Sequence, residues 1–145
     1  MYYQDFAPYS YDLPLAIKGG ECIGWLEASH KFPCRKAEES LLDKIKKVIM
    51  RECVNVMRGT HSCDFCSEER IWLEGKRELL GHAEIWIPGA SREVTFSAPT
   101  LIYHYCRNHD YAPPQEFIDA GMAFDLASEW SGQAERERRV RAAFD

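Results

Sequence analysis

The sequence predicts an α+β fold. Three observations carry that reading: one long amphipathic stretch with helical spacing, three short apolar segments divided by turn residues, and a Cys-x2-Cys pair between the two. A second cluster of cysteine and histidine then follows the strand-like segments. The order knuckle, hairpin, ligand-bearing helix is that of a treble-clef-like zinc module, with helices packed on a small antiparallel β-meander. At 145 residues, 46% hydrophobic and 28% charged, the chain can bury about 70% of its unfolded surface without staples. It reads as a single zinc-binding α+β domain over 1–145.

Residues 1–15 are rich in Tyr, Pro and Asp and read as an irregular N-terminal arm, docked through Tyr2, Tyr3, Phe6, Tyr9 and Tyr11. Residues 16–27 read as short extended pieces around Gly19-Gly20 and Gly24. The clearest helix spans 35–53. Ala37, Leu41, Leu42, Ile45, Val48, Ile49 and Cys53 form one apolar stripe there, and Lys and Glu fill the other face. Arg58-Gly59-Thr60 breaks that pattern.

The strand-like segments are 70–74, 83–87 and 93–97. Apolar and polar residues alternate in the last two, and Gly75-Lys76 and Pro88-Gly89-Ala90-Ser91 supply the turns. The next helix is expected to take Ser97 as N-cap with Pro99 in its first turn, and to stop by Ala112 because Pro113-Pro114 cannot continue it. Pro114 opens a short helix over 115–122, and a C-terminal helix fills 125–145. The nearly all-charged second half of that last helix, together with the aromatic arm, is the expected partner surface.

Composition narrows the function classes. The formal net charge is −5, which disfavours nucleic acid, because phosphate recognition needs a positive surface. The basic residues near 44–51 and 136–141 are interleaved with acids, as on a solvated helix face. The N-terminus has no basic and apolar leader, and no apolar run reaches 18 residues, so a cytoplasmic protein is expected. In that reducing compartment the six cysteines are not a disulfide framework. Cys22, Cys34 and Cys53 have no partner at ligand spacing and read as small buried hydrophobes.

Zinc takes thiolate and imidazole donors in a tetrahedron. Cys63 and Cys66 supply two thiolates from one tight turn, and His104, Cys106 and His109 follow about 40 residues later on a helix. Cys106 and His109 are three apart and share a helical face, whereas His104 and His109 are five apart and diverge by about 140° on a straight helix. His-x4-His is nonetheless an accepted zinc spacing. The expected set is Cys63, Cys66, His104 and His109, with Cys106, His61 and His82 as candidates to replace one member. A redox role for the Cys pair would need a βαβ setting, and strands follow the pair instead. His82-Ala83-Glu84 matches the H-x-E of zinc deaminases, but those enzymes place it before a P-C-x-x-C and here the pair comes first. The tripeptide reads as the start of a strand.

Ile23-Gly24-Trp25-Leu26-Glu27, Arg58-Gly59-Thr60-His61-Ser62-Cys63-Asp64-Phe65-Cys66, Ala83-Glu84-Ile85, Ala98-Pro99-Thr100-Leu101-Ile102-Tyr103-His104-Tyr105 and His109-Asp110-Tyr111-Ala112-Pro113-Pro114-Gln115-Glu116-Phe117 together resemble a family of uncharacterised bacterial proteins with a zinc-knuckle-like signature. The resemblance implies that His61, Cys63, Cys66, His104 and His109 matter as a set. It favours His104 over Cys106, where the family carries an aliphatic residue, and it marks His82 as a departure from a small polar residue. No activity is implied.

The expected function is a binding or interaction module with a structural zinc and a protein partner, rather than an enzyme. One alternative is a zinc-dependent hydrolase with three protein ligands and a water, using Glu84, Glu68 or Glu69 as general base. The other is a nucleic-acid-binding zinc module.

Overall fold

A computed structural model describes residues 1–75 and 78–145; Lys76 of the expected turn lies outside the described residues. The fold is α+β. Its elements are β1 (Gly20–Cys22), α1 (Glu39–Arg51), β2 (Ile71–Trp72), β3 (Leu79–Leu80), β4 (Glu84–Pro88), β5 (Thr95–Pro99), α2 (Ile102–Asn108), α3 (Gln115–Ala123) and α4 (Gly132–Phe144).

The strands pair differently from one meander. β4 and β5 are antiparallel neighbours, but the third strand of that sheet is β1, lying parallel to β5 with Gly20 opposite Thr95. β2 pairs only with β3, in a separate two-stranded sheet. The glycine-rich stretch before residue 23 thus supplies a strand at long range, which local alternation does not reveal.

β4 organises the core because its side chains alternate. Ile85 and Ile87 face a large apolar cluster with Leu41, Leu42, Ile45, Val48 and Ile49 of α1, Leu101 and Ile102 beside β5, and Phe117 of α3. Trp86 belongs to a second cluster with Tyr9, Tyr11, Ile17, Cys22, Trp25 and Val54. The N-terminal arm therefore packs through its tyrosines, and Tyr9 is wholly buried. Phe6, at φ 71°, stays exposed. The main sheet is covered on one side by α1 and α3 and on the other by the arm and α4.

α1 is shorter than the apolar stripe, because Cys53 and Val54 leave the helix and Val54 bridges Glu84 in antiparallel fashion. Ser97 does not cap a helix. It sits inside β5, fully buried, and α2 begins five residues later. Pro114 precedes α3 at φ −56°, the fixed φ that suits a helix start. The C-terminal helix begins at Gly132 and not near 125. Residues 125–131 form turns whose carbonyls at Leu126, Ser128 and Trp130 accept from the Arg51 guanidinium. Ser131 Oγ accepts from Ala134 N, and the Glu52 carboxylate accepts from Gly132 N (2.6 Å) and Gln133 N (3.3 Å), which satisfies free N–H groups of the first turn.

α4 is also not a free charged surface. Arg136 Nε donates to Tyr9 Oη, and Arg139, 8% exposed, donates to the carbonyls of Lys18 and Glu93 and to Thr95 Oγ1. Tyr9 and Tyr11 of the arm and Arg136 and Arg139 of α4 are thus used to build the fold, while residues 141–145 stay exposed. No described helix is long and apolar enough to cross a membrane.

Candidate metal centre

Cys63 and Cys66 sit in a loop that leads from the edge of β4 toward the β2–β3 sheet. The loop is tied at its start, where His61 N donates to Gly81 O at 2.8 Å. Gly81, at φ 101°, leaves no room for a side chain, since a Cβ there would overlap His61 O. Within the knuckle, Phe65 N donates to Cys63 Sγ at 3.3 Å, the charge-stabilising contact that a turn between two thiolates provides. The Phe65 ring lies edge-on to Tyr105 at 5.9 Å and packs on His109 at 5.5 Å. These contacts seat the loop on α2.

His104 is inside α2, whereas His109 is its C-terminal flanking residue at φ −125°, ψ 10°. Asp110 then takes the left-handed conformation at φ 55° and turns the chain back, so that Tyr111 N donates to Tyr105 O at 3.1 Å. Leaving the helix at His109 removes the divergence that five helical steps would impose. The two rings stand nearly perpendicular with centroids 4.9 Å apart.

The outcome is a cluster in which one ligand atom from each of Cys63, Cys66, His104 and His109 lies within 4.8 Å of every other. These four are close enough to hold a metal ion. Cys63 Sγ is 3.4 Å from His109 Nε2, Cys66 Sγ is 3.5 Å from His104 Nε2, and the two Nε2 atoms are 3.2 Å apart. A tetrahedron with metal–sulfur bonds of about 2.3 Å and metal–nitrogen bonds of about 2.05 Å has sulfur–nitrogen edges of about 3.6 Å and nitrogen–nitrogen edges of about 3.3 Å. The donor set and spacing fit a divalent ion of zinc's size.

Burial pushes the Cys63 thiol up to about 11, against the lowering effect of the Phe65 N–H. Burial also lowers His104, with His109 adding to the effect, and burial lowers His109 despite Asp110. Without an ion the site therefore holds the Cys63 thiol and neutral imidazoles. The nitrogen lone pairs are available, and an ion entering must displace the Cys63 proton.

The other candidates lie elsewhere. Cys106 is fully buried in the main core, where burial pushes its thiol up to about 12. His61 Nε2 pairs with Tyr11 Oη at 2.9 Å. His82 is held in backbone pairing with Met57, whose N–H donates to His82 O at 2.8 Å. Cys22 is the buried hydrophobe expected, but Cys53 is only half-buried and Cys34 is exposed. Cys34 misses the core because its segment runs as a surface bridge along Tyr111.

Glu84 is the surprise of the site's surroundings. Alternation puts it opposite Ile85, and the arm and α4 then cover it, leaving it 2% exposed. Its Oε2 accepts from Tyr9 Oη (2.9 Å) and Asn55 Nδ2 (2.7 Å), and its Oε1 from Trp86 Nε1 (2.9 Å) and Ser97 Oγ (3.2 Å). Burial raises its carboxyl, and these donors oppose the shift. Neither this network nor the Phe65 platform was singled out from the sequence. The signals were an aromatic residue between the two cysteines, and a tryptophan two residues after a glutamate in a strand.

A model of the family described as Domain of unknown function (DUF7919) matches residues 1–122. No curated protein and no solved structure matches the chain.

Proposed function

The chain belongs to the DUF7919 family, and for it we propose a structural zinc centre, treble-clef-like in its ligand order, formed by Cys63, Cys66, His104 and His109. The observation that carries the reading is the pair of sulfur–nitrogen distances, 3.4 and 3.5 Å, with the 3.2 Å nitrogen–nitrogen distance, which match three of the six edges of a closed tetrahedron. Two thiolates neutralise a divalent ion, so the half-buried centre carries no net charge. Four protein ligands leave no position for a water, which argues for a structural role over hydrolysis. Glu84 supports the same view, because two donors already occupy each of its oxygens and it has no free lone pair for a general base.

The ion's contribution is to tie the 61–66 loop to the end of α2. Apparent zinc binding energies of about 10–16 kcal/mol in small zinc peptides exceed what a surface loop of this length gains from its own contacts. The function that follows is a binding module in which the loop is held rigid to present a surface to a protein partner. The net charge of −5 keeps nucleic acid the weaker choice. The test is metal analysis of the purified chain with thermal unfolding before and after a strong chelator. One zinc per chain and a large fall in the unfolding temperature on chelation support the reading. A metal-free chain with an unchanged unfolding temperature rejects it.

A further inference from the structure

Beside the metal loop, and outside any role given to it so far, a cavity of about 460 Å³ opens between the N-terminal arm, the 55–64 loop and the start of β4. That volume is within the range of about 300–1,000 Å³ typical of small-molecule sites. We propose that this cavity binds a small planar organic cation bearing N–H donors, of the amidinium or guanidinium class. The proposal does not depend on which ion, if any, the cysteines hold.

The cavity is a built feature of the fold. Its loop wall is fastened to the edge of β4 by backbone bonds, Met57 N to His82 O and His61 N to Gly81 O, both 2.8 Å. Between them Arg58-Gly59-Thr60 swings out to solvent. At the start of that wall Asn55 takes the left-handed conformation at φ 51°. Its backbone N–H is held by Gln133 Oε1 (2.8 Å) and its side chain by Glu84 (2.7 Å). These two bonds fix the start of the wall in a conformation that asparagine readily adopts.

The lining selects the chemistry. Trp25 and Tyr11 supply aromatic surface, their rings 4.9 Å apart, and His61 extends it through its bond to Tyr11. Aromatic faces attract flat cations. The ionisable acids lining the cavity are Glu27, Asp64 and Glu84, and no lysine or arginine side chain lines it among the described residues. The α-amino group of Met1, also at the cavity, lies 3.6 Å from Glu27. Among the described residues, that leaves the exposed Asp64 and the buried Glu84 without a cation in direct contact.

The four donors to Glu84 are neutral groups, so they hold the carboxylate without cancelling its charge; the Arg136 guanidinium, which donates to Tyr9 Oη at 3.0 Å, offsets part of it from a distance. A buried carboxylate of this kind projects a negative field into the low-dielectric space beside it. His82 also lines the cavity and carries no fixed positive group into it.

The test uses the purified full chain as isolated, its metal content measured on the same sample, so that zinc occupancy and cation binding are read independently. Benzamidine, benzamide and benzoate are titrated by 1H–15N NMR, following the Trp25 indole N–H and the amides of 55–64 and 81–84. The proposal expects saturable benzamidine shifts confined to those residues, at least tenfold weaker binding of benzamide, and no benzoate binding there. Asp64→Asn, at an exposed position, should weaken benzamidine at least threefold with the metal retained. Met57→Trp, which fills the cavity, should abolish the shifts. Equal binding of benzamide or benzoate, or benzamidine shifts scattered over the surface and unmoved by Asp64→Asn, would overturn it.

Discussion

Cys63 Sγ and His109 Nε2 lie 3.4 Å apart although 46 residues separate them in the chain. Cys63 and the Phe65 ring pack against the main core beside α2, which brings the loop to the helix end. Packing alone does not require the further convergence of two thiols and two imidazoles within 4.8 Å of one another.

Replacing Cys63 or Cys66 by serine should remove the ion and its contribution together. We predict metal content near zero and a stability loss of at least ~3 kcal/mol, read by elemental analysis and denaturant unfolding. A Cys63→Ser chain with its metal and midpoint intact would falsify the structural role.

Cys106→Ala and His61→Ala should keep the metal. Cys106 is packed in the core and its truncation should cost ~1 kcal/mol through lost packing alone. His61 pairs with Tyr11 instead of the cluster. Loss of metal in either variant means that the wrong set of four has been chosen.

Acid should strip the ion and weaken the metal-free fold in the same direction. Burial holds the His104 and His109 imidazoles below their ordinary range, so the unfolded chain takes up protons first as pH falls through about 6.5. Stability therefore rises with pH across the window from the folded values up to about 6.5 and is fully present above it. With the ion bound, protons compete for all four ligands, which steepens the dependence. Unfolding temperatures measured from pH 5 to 8, with and without chelator, check this. A flat profile in both contradicts it.

Glu84→Ala should be among the most damaging single changes, because it leaves the donors of Tyr9, Asn55, Trp86 and Ser97 buried and unpaired. We predict a loss of ~3–5 kcal/mol. Arg136→Ala, which removes the half-buried bond to Tyr9 Oη, a long one to Tyr11 O and the cation contact with the Tyr9 ring, should cost ~1–2 kcal/mol. Comparable losses in the two variants would show that the carboxylate is not the centre of this network.

The sequence made the α+β class and the α1 stripe legible because both are local: an apolar residue every three or four positions has one outcome when a core is at hand. The four clustered donors were legible because thiol and imidazole at those spacings are rare outside metal sites. What was hidden depends on long-range pairing. β1 forms a parallel partner for β5 across more than seventy residues, and nothing in Gly20-Glu21-Cys22 announces it. Ser97 resembles a helix cap and Glu84 a solvent-facing strand residue until the arm and α4 close over them. Arg139 reads as one charge in a solvated run, yet carbonyls of Lys18 and Glu93 receive it in the interior.

X-ray absorption at the zinc edge of the isolated protein addresses the central claim most directly. The account predicts two sulfur scatterers at about 2.3 Å and two imidazole nitrogens at about 2.0–2.1 Å, with neither signal altered in Cys106→Ala. A shell with an oxygen in place of one imidazole, a third sulfur, or no zinc edge at all contradicts it.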